Sequence, residues 1–154
     1  MIATTSPRMT QTLPAVHRDQ MMSLASEANY PQDTRLFEEG GHADRFWIVR
    51  SGTVALDMRV PGRRPVVVES LGFGELVGWS WLYSPYVWRL GAQAVTPLRT
   101  YVFDADAVRR LCDADPEFGR AVVHWVGGVI AHRLLASRTR LLDLYAPNGS
   151  GLPR

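Results

Sequence analysis

Between positions 33 and 103 the chain repeats one pattern: a short run of β-forming residues, then a turn carrying glycine. The runs fall at 34–37, 46–49, 53–58, 65–70, 92–95 and 99–103. Gly41, Gly52, Gly62 and Gly72 recur at intervals of ten or eleven residues. Short strands at so regular a spacing build a β-sandwich or barrel. The stretch Thr53-Val54-Ala55-Leu56-Asp57-Met58 alternates apolar and polar residues, as a strand with one buried face does. Arg50-Ser51-Gly52 and Pro61-Gly62-Arg63-Arg64 are the clearest hairpin turns. No helix-length segment separates the strands, which argues against an α/β nucleotide-binding fold.

Helices are predicted on either side of this region. From 14 to 29, Val16, Met21, Leu24, Ala25 and Ala28 fit a short amphipathic helix with Leu13 at its edge, and Pro31 stops it. After Phe103, Asp104 or Asp106 caps a short helix through Leu111. Asp115-Pro116-Glu117 reads as a second start, with aspartate at the cap and proline at the first helical position. The helix that follows runs to Tyr145. Phe118, Val122, Trp125, Val129, Leu134, Leu141 and Tyr145 form one stripe, widened by Val126, Ile130, Leu135 and Leu142. Gly127-Gly128 marks a bend or a close approach. So long an apolar stripe exceeds what one small barrel covers, so a homodimer formed through residues 118–145 is expected. Residues 1–12 read as a disordered leader, 13–146 as the domain, and 147–154 as a flexible tail.

Charge and cysteine content narrow the function classes. The formal net charge is +2 and no basic tract is present, so generic nucleic-acid binding is not indicated. Cys112 is the single cysteine, which suits a reducing, cytoplasmic setting. No secretory signal and no apolar run long enough for a membrane span appear. No His-x-His or Cys-x-x-Cys pair exists, so neither a metal site nor a cupin-type metalloenzyme is expected. His17 and His42 read as surface residues, and His124 and His132 as helix residues. Arg133, Arg138 and Arg140 suit either a partner contact or, by default, a solvated face.

The chemistry concentrates between 72 and 89. Gly72, Gly74 and Gly78 let the backbone turn tightly and bring N–H groups close to a ligand. Glu75 sits in that turn, and Arg89 closes the segment. A carboxylate and an arginine flanking such a turn suit a sugar hydroxyl and a phosphate. Between them lie Trp79, Trp81, Tyr83, Tyr86 and Trp88, suited either to stacking on a base or to the core.

The order of helix, glycine-punctuated barrel and long final helix resembles the cyclic nucleotide-binding domain family. The resemblance covers about 14 to 145 and rests on four motifs. These are Asp33-Thr34-Arg35-Leu36-Phe37-Glu38-Glu39-Gly40, the hairpin running from Ala43 to Val54, the turn Gly72-Phe73-Gly74-Glu75-Leu76, and the final helix. Residues 74–81 are also similar to short bacterial members that carry only this domain. The resemblance implies a jelly-roll β-barrel with an N-terminal helix and a C-terminal dimerisation helix. It implies a phosphate-binding cassette at Gly74, Glu75 and Leu76, with Glu75 accepting from the ribose 2′-hydroxyl. The family's arginine follows its glutamate more closely than Arg89 follows Glu75, fourteen residues on, and its position falls nearer Trp88. Trp79, Ser80, Trp81 and Trp88 are expected to line the pocket.

The expected function is that of a stand-alone regulatory sensor binding cyclic AMP or cyclic GMP, without enzymatic activity or a further cofactor. Nine residues follow Tyr145, so no DNA-binding domain is expected, and output passes through the dimer or a protein partner. The alternative is a nucleotide-independent scaffold on the same fold, with the aromatic residues filling the pocket.

Overall fold

The computed structural model describes residues 6–145. Eight strands form two four-stranded antiparallel sheets. β1 (Ala25–Tyr30), β8 (Leu98–Asp104), β3 (Arg45–Ser51) and β6 (Leu76–Val77) lie in that order in one. The other runs β2 (Arg35–Phe37), β7 (Gly91–Ala94), β4 (Val54–Met58) and β5 (Val66–Leu71). Register in the first sheet pairs Phe46 with Phe103 and Trp47 with Val77 across β3. The buried faces enclose one core containing Phe46, Val54, Leu56, Leu76, Ala92, Leu98 and Phe103.

Six of the strands lie where the glycine spacing puts them. Two were not expected. β6 is two residues long, too short for its periodicity to register. β1 lies inside the segment expected to be helical over 14–29. The helix there, α2 (Ala15–Met22), ends seven residues early. Ala25–Tyr30 instead pairs along the whole of β8, from Ala25 opposite Phe103 to Tyr30 opposite Leu98. Its polar, half-exposed residues satisfy a sheet edge, and that ladder outweighs their helical spacing.

The expected leader is also corrected in part. α1 (Met9–Thr12) is helical and Met9 is buried, because it packs with Leu13 against the long helix. Residues 1–5, and the tail expected over 147–154, lie outside the described residues.

The C-terminal helices start where predicted. Asp104 accepts from the Ala107 N–H at 2.9 Å and caps α3 (Ala105–Ala114). Asp115 accepts from the Phe118 N–H at 3.2 Å, with Pro116 opening α4 (Pro116–Tyr145). α4 buries Phe118, Gly119, Val122, Trp125, Val126 and Val129. It passes through Gly127-Gly128 without interruption. The close approach there comes from Pro7, whose Cγ would lie 3.3 Å from a Cβ on Gly128.

Candidate functional site

A cavity of about 290 Å³ opens between the barrel and α4. Gly78, Trp79 and Ser80 of the glycine-rich segment wall one side, with Trp88, Arg89 and Leu90 beyond them. Ile130, Arg133, Leu134 and Ser137 of α4 close the other side, and Phe37, Leu56, Val68 and Glu69 complete it from the barrel. Its size sits at the lower end of the range for small-ligand sites, and its lining is mainly apolar with a few convergent polar groups.

Backbone geometry creates this wall. Gly74 and Gly78 both have positive φ, at 78° and 90°. At Gly78 a Cβ would lie 2.5 Å from the Trp88 ring, so only glycine lets the tryptophan lie across the turn. Trp88 stacks on Phe37 at 3.9 Å between ring centroids, with Trp47 next to it. Trp79 is half-buried and meets Tyr83 edge-on. Among the described residues, no turn hydrogen bond uses the N–H of Gly78, Trp79 or Ser80.

Trp81, expected with the pocket-lining residues, points elsewhere. It is wholly buried, stacked on Phe46 at 4.1 Å, and absent from the cavity wall. The Arg109 guanidinium donates to its carbonyl at 2.5 Å and lies over the Tyr86 ring. Residues 79–88 thus divide between core and cavity.

Glu75 is 5 % exposed and fully engaged on one oxygen. Its Oε1 accepts from both the N–H and the hydroxyl of Ser6, each at 3.0 Å. Its Oε2 accepts from the Gly72 N–H at 2.8 Å. Ser6 reaches it as part of a segment laid over the turn. Arg8 packs on Gly74 and lies over the Phe73 ring, while the Pro7 carbonyl accepts from Trp125 Nε1 at 3.3 Å. The Gly74 N–H donates to Val49 and the Glu75 N–H to Gly72, while Leu76 pairs with β3. Gly74, Glu75 and Leu76 therefore stand behind the cavity wall, whereas Ser80, Trp79, Trp88 and the exposed Arg89 reach the cavity itself.

Two site residues escaped the sequence reading. Arg133, expected on a solvated face, is buried. Its Nη2 donates to the Leu76 carbonyl, and its Nε lies 3.8 Å from Glu69 Oε2, beyond hydrogen-bond range. Burial pulls its pKa down and the nearby carboxylates Glu69 and Glu75 push it back up. Burial likewise raises the Glu69 pKa, against the opposing pull of Arg133. The signal for Arg133 was present: it follows Val129 by four residues and continues the buried stripe Val122, Val126, Val129. Nothing in the sequence marked Ser6.

Cys112 is half-buried, and desolvation lifts its thiol to about 11, which makes it a poor nucleophile. Among the described residues, no cluster of three or more His, Cys, Asp or Glu side chains is placed to hold a metal ion. Among them also, no helix is long and apolar enough to cross a membrane.

Comparison with known proteins agrees with this architecture. The profile of the cyclic nucleotide-binding domain matches residues 27–115. A CRP-like cAMP-activated global transcriptional regulator from Mycobacterium tuberculosis is 28% identical over 116 residues, covering 75% of this chain and 50% of that protein. The chain thus spans about half the length of the curated relatives it matches. Among solved structures, the c-di-GMP responsive global regulator CLP of Xanthomonas campestris superposes with a TM-score of 0.75 at 19% identity. That match covers 85% of this chain and 64% of CLP. The catabolite activator protein of Thermus thermophilus superposes with a TM-score of 0.65 at 24% identity, covering 92% and 62%. At these identities the structural likeness is one of fold.

Proposed function

Because the chain belongs to the cyclic nucleotide-binding domain family, we propose that it is a regulatory sensor that takes a cyclic nucleotide, cyclic AMP or cyclic GMP, into the cavity under α4. One observation carries this reading. The cavity has the glycine-rich turn segment on one wall and the long helix on the other, so a single ligand touches both. Trp79, half-exposed on the cavity wall, is the ring placed to meet a base, while Trp88 lines the cavity with its ring stacked on Phe37. The resemblance assigns the ribose to Glu75 and the phosphate to the turn Gly74–Leu76 with Arg89; of these Arg89 lines the cavity, and Glu75 lies behind its wall, bonded to Ser6. Cyclic AMP is the first candidate, since the Mycobacterium tuberculosis relative is named for activation by it.

Signalling in this reading is a population shift. A ligand that binds better when α4 is docked favours the docked arrangement by its difference in affinity for the two states. The protein acts without catalysis, as a cytoplasmic homodimer joined along α4, and passes its signal to a protein partner. A second reading, a nucleotide-independent scaffold, is favoured by the engagement of Glu75 with Ser6 and by the stacking of Trp88 on Phe37.

Isothermal titration calorimetry with cyclic AMP and cyclic GMP separates the two. The sensor shows saturable heat with a micromolar dissociation constant for at least one nucleotide. Absence of heat with both at millimolar concentration rejects the sensor in favour of the scaffold.

A further inference from the structure

We propose that the cation which holds the phosphate of the bound nucleotide is Arg133 of α4, and not Arg89 of the barrel. The inference rests on the sensor reading and names the residue that recognises the ligand's charge.

Three observations lead to it. First, the cavity wall carries a buried guanidinium with donors to spare. Among the described residues Arg133 makes one hydrogen bond, from Nη2 to the Leu76 carbonyl, and its Nε has no hydrogen-bond partner. A guanidinium offers five N–H donors in a planar fork suited to phosphate oxygens. Leaving such donors unsatisfied in the interior is costly, and an anion in the cavity relieves that cost.

Second, the bond to Leu76 fixes the guanidinium against the glycine-rich turn, on the same cavity as Gly78, Trp79 and Ser80. A phosphate between Arg133 and that segment would meet the cation from the helix side. The position nearest the family's arginine is occupied by Trp88, whose ring is wedged between Phe37 and Gly78 and carries no charge.

Third, Arg89 is a weak competitor. It is exposed, and a charge in water contributes much less to an ion pair than one removed from it. Glu69 is the internal rival of the ligand. It lies 3.8 Å from Arg133 and is itself partly desolvated, so the pair is loose. Glu75, the other carboxylate near Arg133, already accepts three hydrogen bonds from Ser6 and Gly72. An arriving phosphate therefore takes the guanidinium from Glu69.

With the charge recognised on α4, the ligand would hold the helix directly.

Calorimetry with cyclic AMP on the full chain tests this, with thermal melts to verify folding. Arg133→Gln is expected to weaken binding roughly 10- to 150-fold, the range for a charge-assisted bond to a buried group. Arg89→Ala is expected to weaken it less than about 5-fold. Glu69→Gln is expected to tighten binding several-fold, and the gain should vanish in the Glu69→Gln, Arg133→Gln double variant. If Arg133→Gln fails to fold, Glu69→Gln alone decides: tightening supports the assignment and an unchanged affinity overturns it. Loss of binding in Arg89→Ala with retention in Arg133→Gln returns the phosphate to the barrel and leaves the sensor reading intact. No binding of cyclic AMP or cyclic GMP by the unaltered protein overturns both.

Discussion

Position 78 shows how one residue sets the cavity wall. Its φ of 90° is a left-handed conformation, and the space a side chain would need is filled by the Trp88 ring at 2.5 Å. That ring cannot yield easily, since Phe37 stacks on its face and Trp47 tilts against it. Gly78→Ala therefore meets both backbone strain of roughly 1–3 kcal/mol and a clash. The variant should melt several degrees lower and show altered tryptophan emission; an unchanged melting temperature would count against the packing described. The glycine was legible in the sequence as a turn residue, but its partner was not. Five tryptophans and tyrosines lie within ten residues (79–88), and composition alone does not say which face inward. Trp81 went to the core because Phe46 offered it a stacking surface, while Trp79 stayed half-exposed. Arg133 illustrates the opposite error: residue type suggested solvent, whereas helical position four beyond Val129 fixed burial.

At the scale of elements, the strands with glycine turns and strong alternation were readable, and those held mainly by pairing were not. Val54–Met58 carries its own period of two. Ala25–Tyr30 is polar and becomes a strand through the β8 ladder, a contact some seventy residues away in sequence that no local pattern encodes. The long helix shows a further limit. Its apolar stripe is continuous in sequence, but the barrel covers it only as far as Arg133. Beyond that, Leu134 is 64 % exposed, Leu142 60 % and Tyr145 83 %. Leu134, Leu141 and Tyr145 are spaced seven and four apart, and Leu135 and Leu142 seven apart, the repeat of a two-stranded seam. A helix end of this length is marginal in water without packing. The seam therefore predicts a homodimer. Sedimentation at micromolar concentration should give a dimer for the unaltered protein and a monomer for the Leu141→Glu, Leu142→Glu variant. A monomer in both cases would reject the seam.

On the scale of the whole molecule, the segment Ser6–Arg8 ties together parts distant in sequence. Ser6 bonds Glu75, 69 residues on, while Pro7 accepts from Trp125, 118 residues on, and fits against Gly128. The start of the described chain thus bridges the barrel turn and the helix that forms the far wall of the cavity. In the proposed sensor this bridge would oppose ligand entry. Oε1 of Glu75 is filled by the two Ser6 donors, and with Ser6 in place the residue is 5 % exposed. In the sensor reading, a ribose hydroxyl bound at Oε1 requires the segment to lift, so segment and ligand would compete for one acceptor. Their free energies then carry opposite signs in one variant. Ser6→Ala removes the hydroxyl bond and keeps the N–H bond. It should lower the stability of the ligand-free protein by about 0.5–1.5 kcal/mol, a fall of roughly 1–6 °C in melting temperature. It should also tighten nucleotide binding by up to about tenfold, since the ligand no longer breaks that bond. Thermal melts with calorimetry on the same sample read both effects. Lower stability with unchanged affinity would show that the segment stays seated when the nucleotide binds, and that the bridge serves only to hold α4 on the barrel.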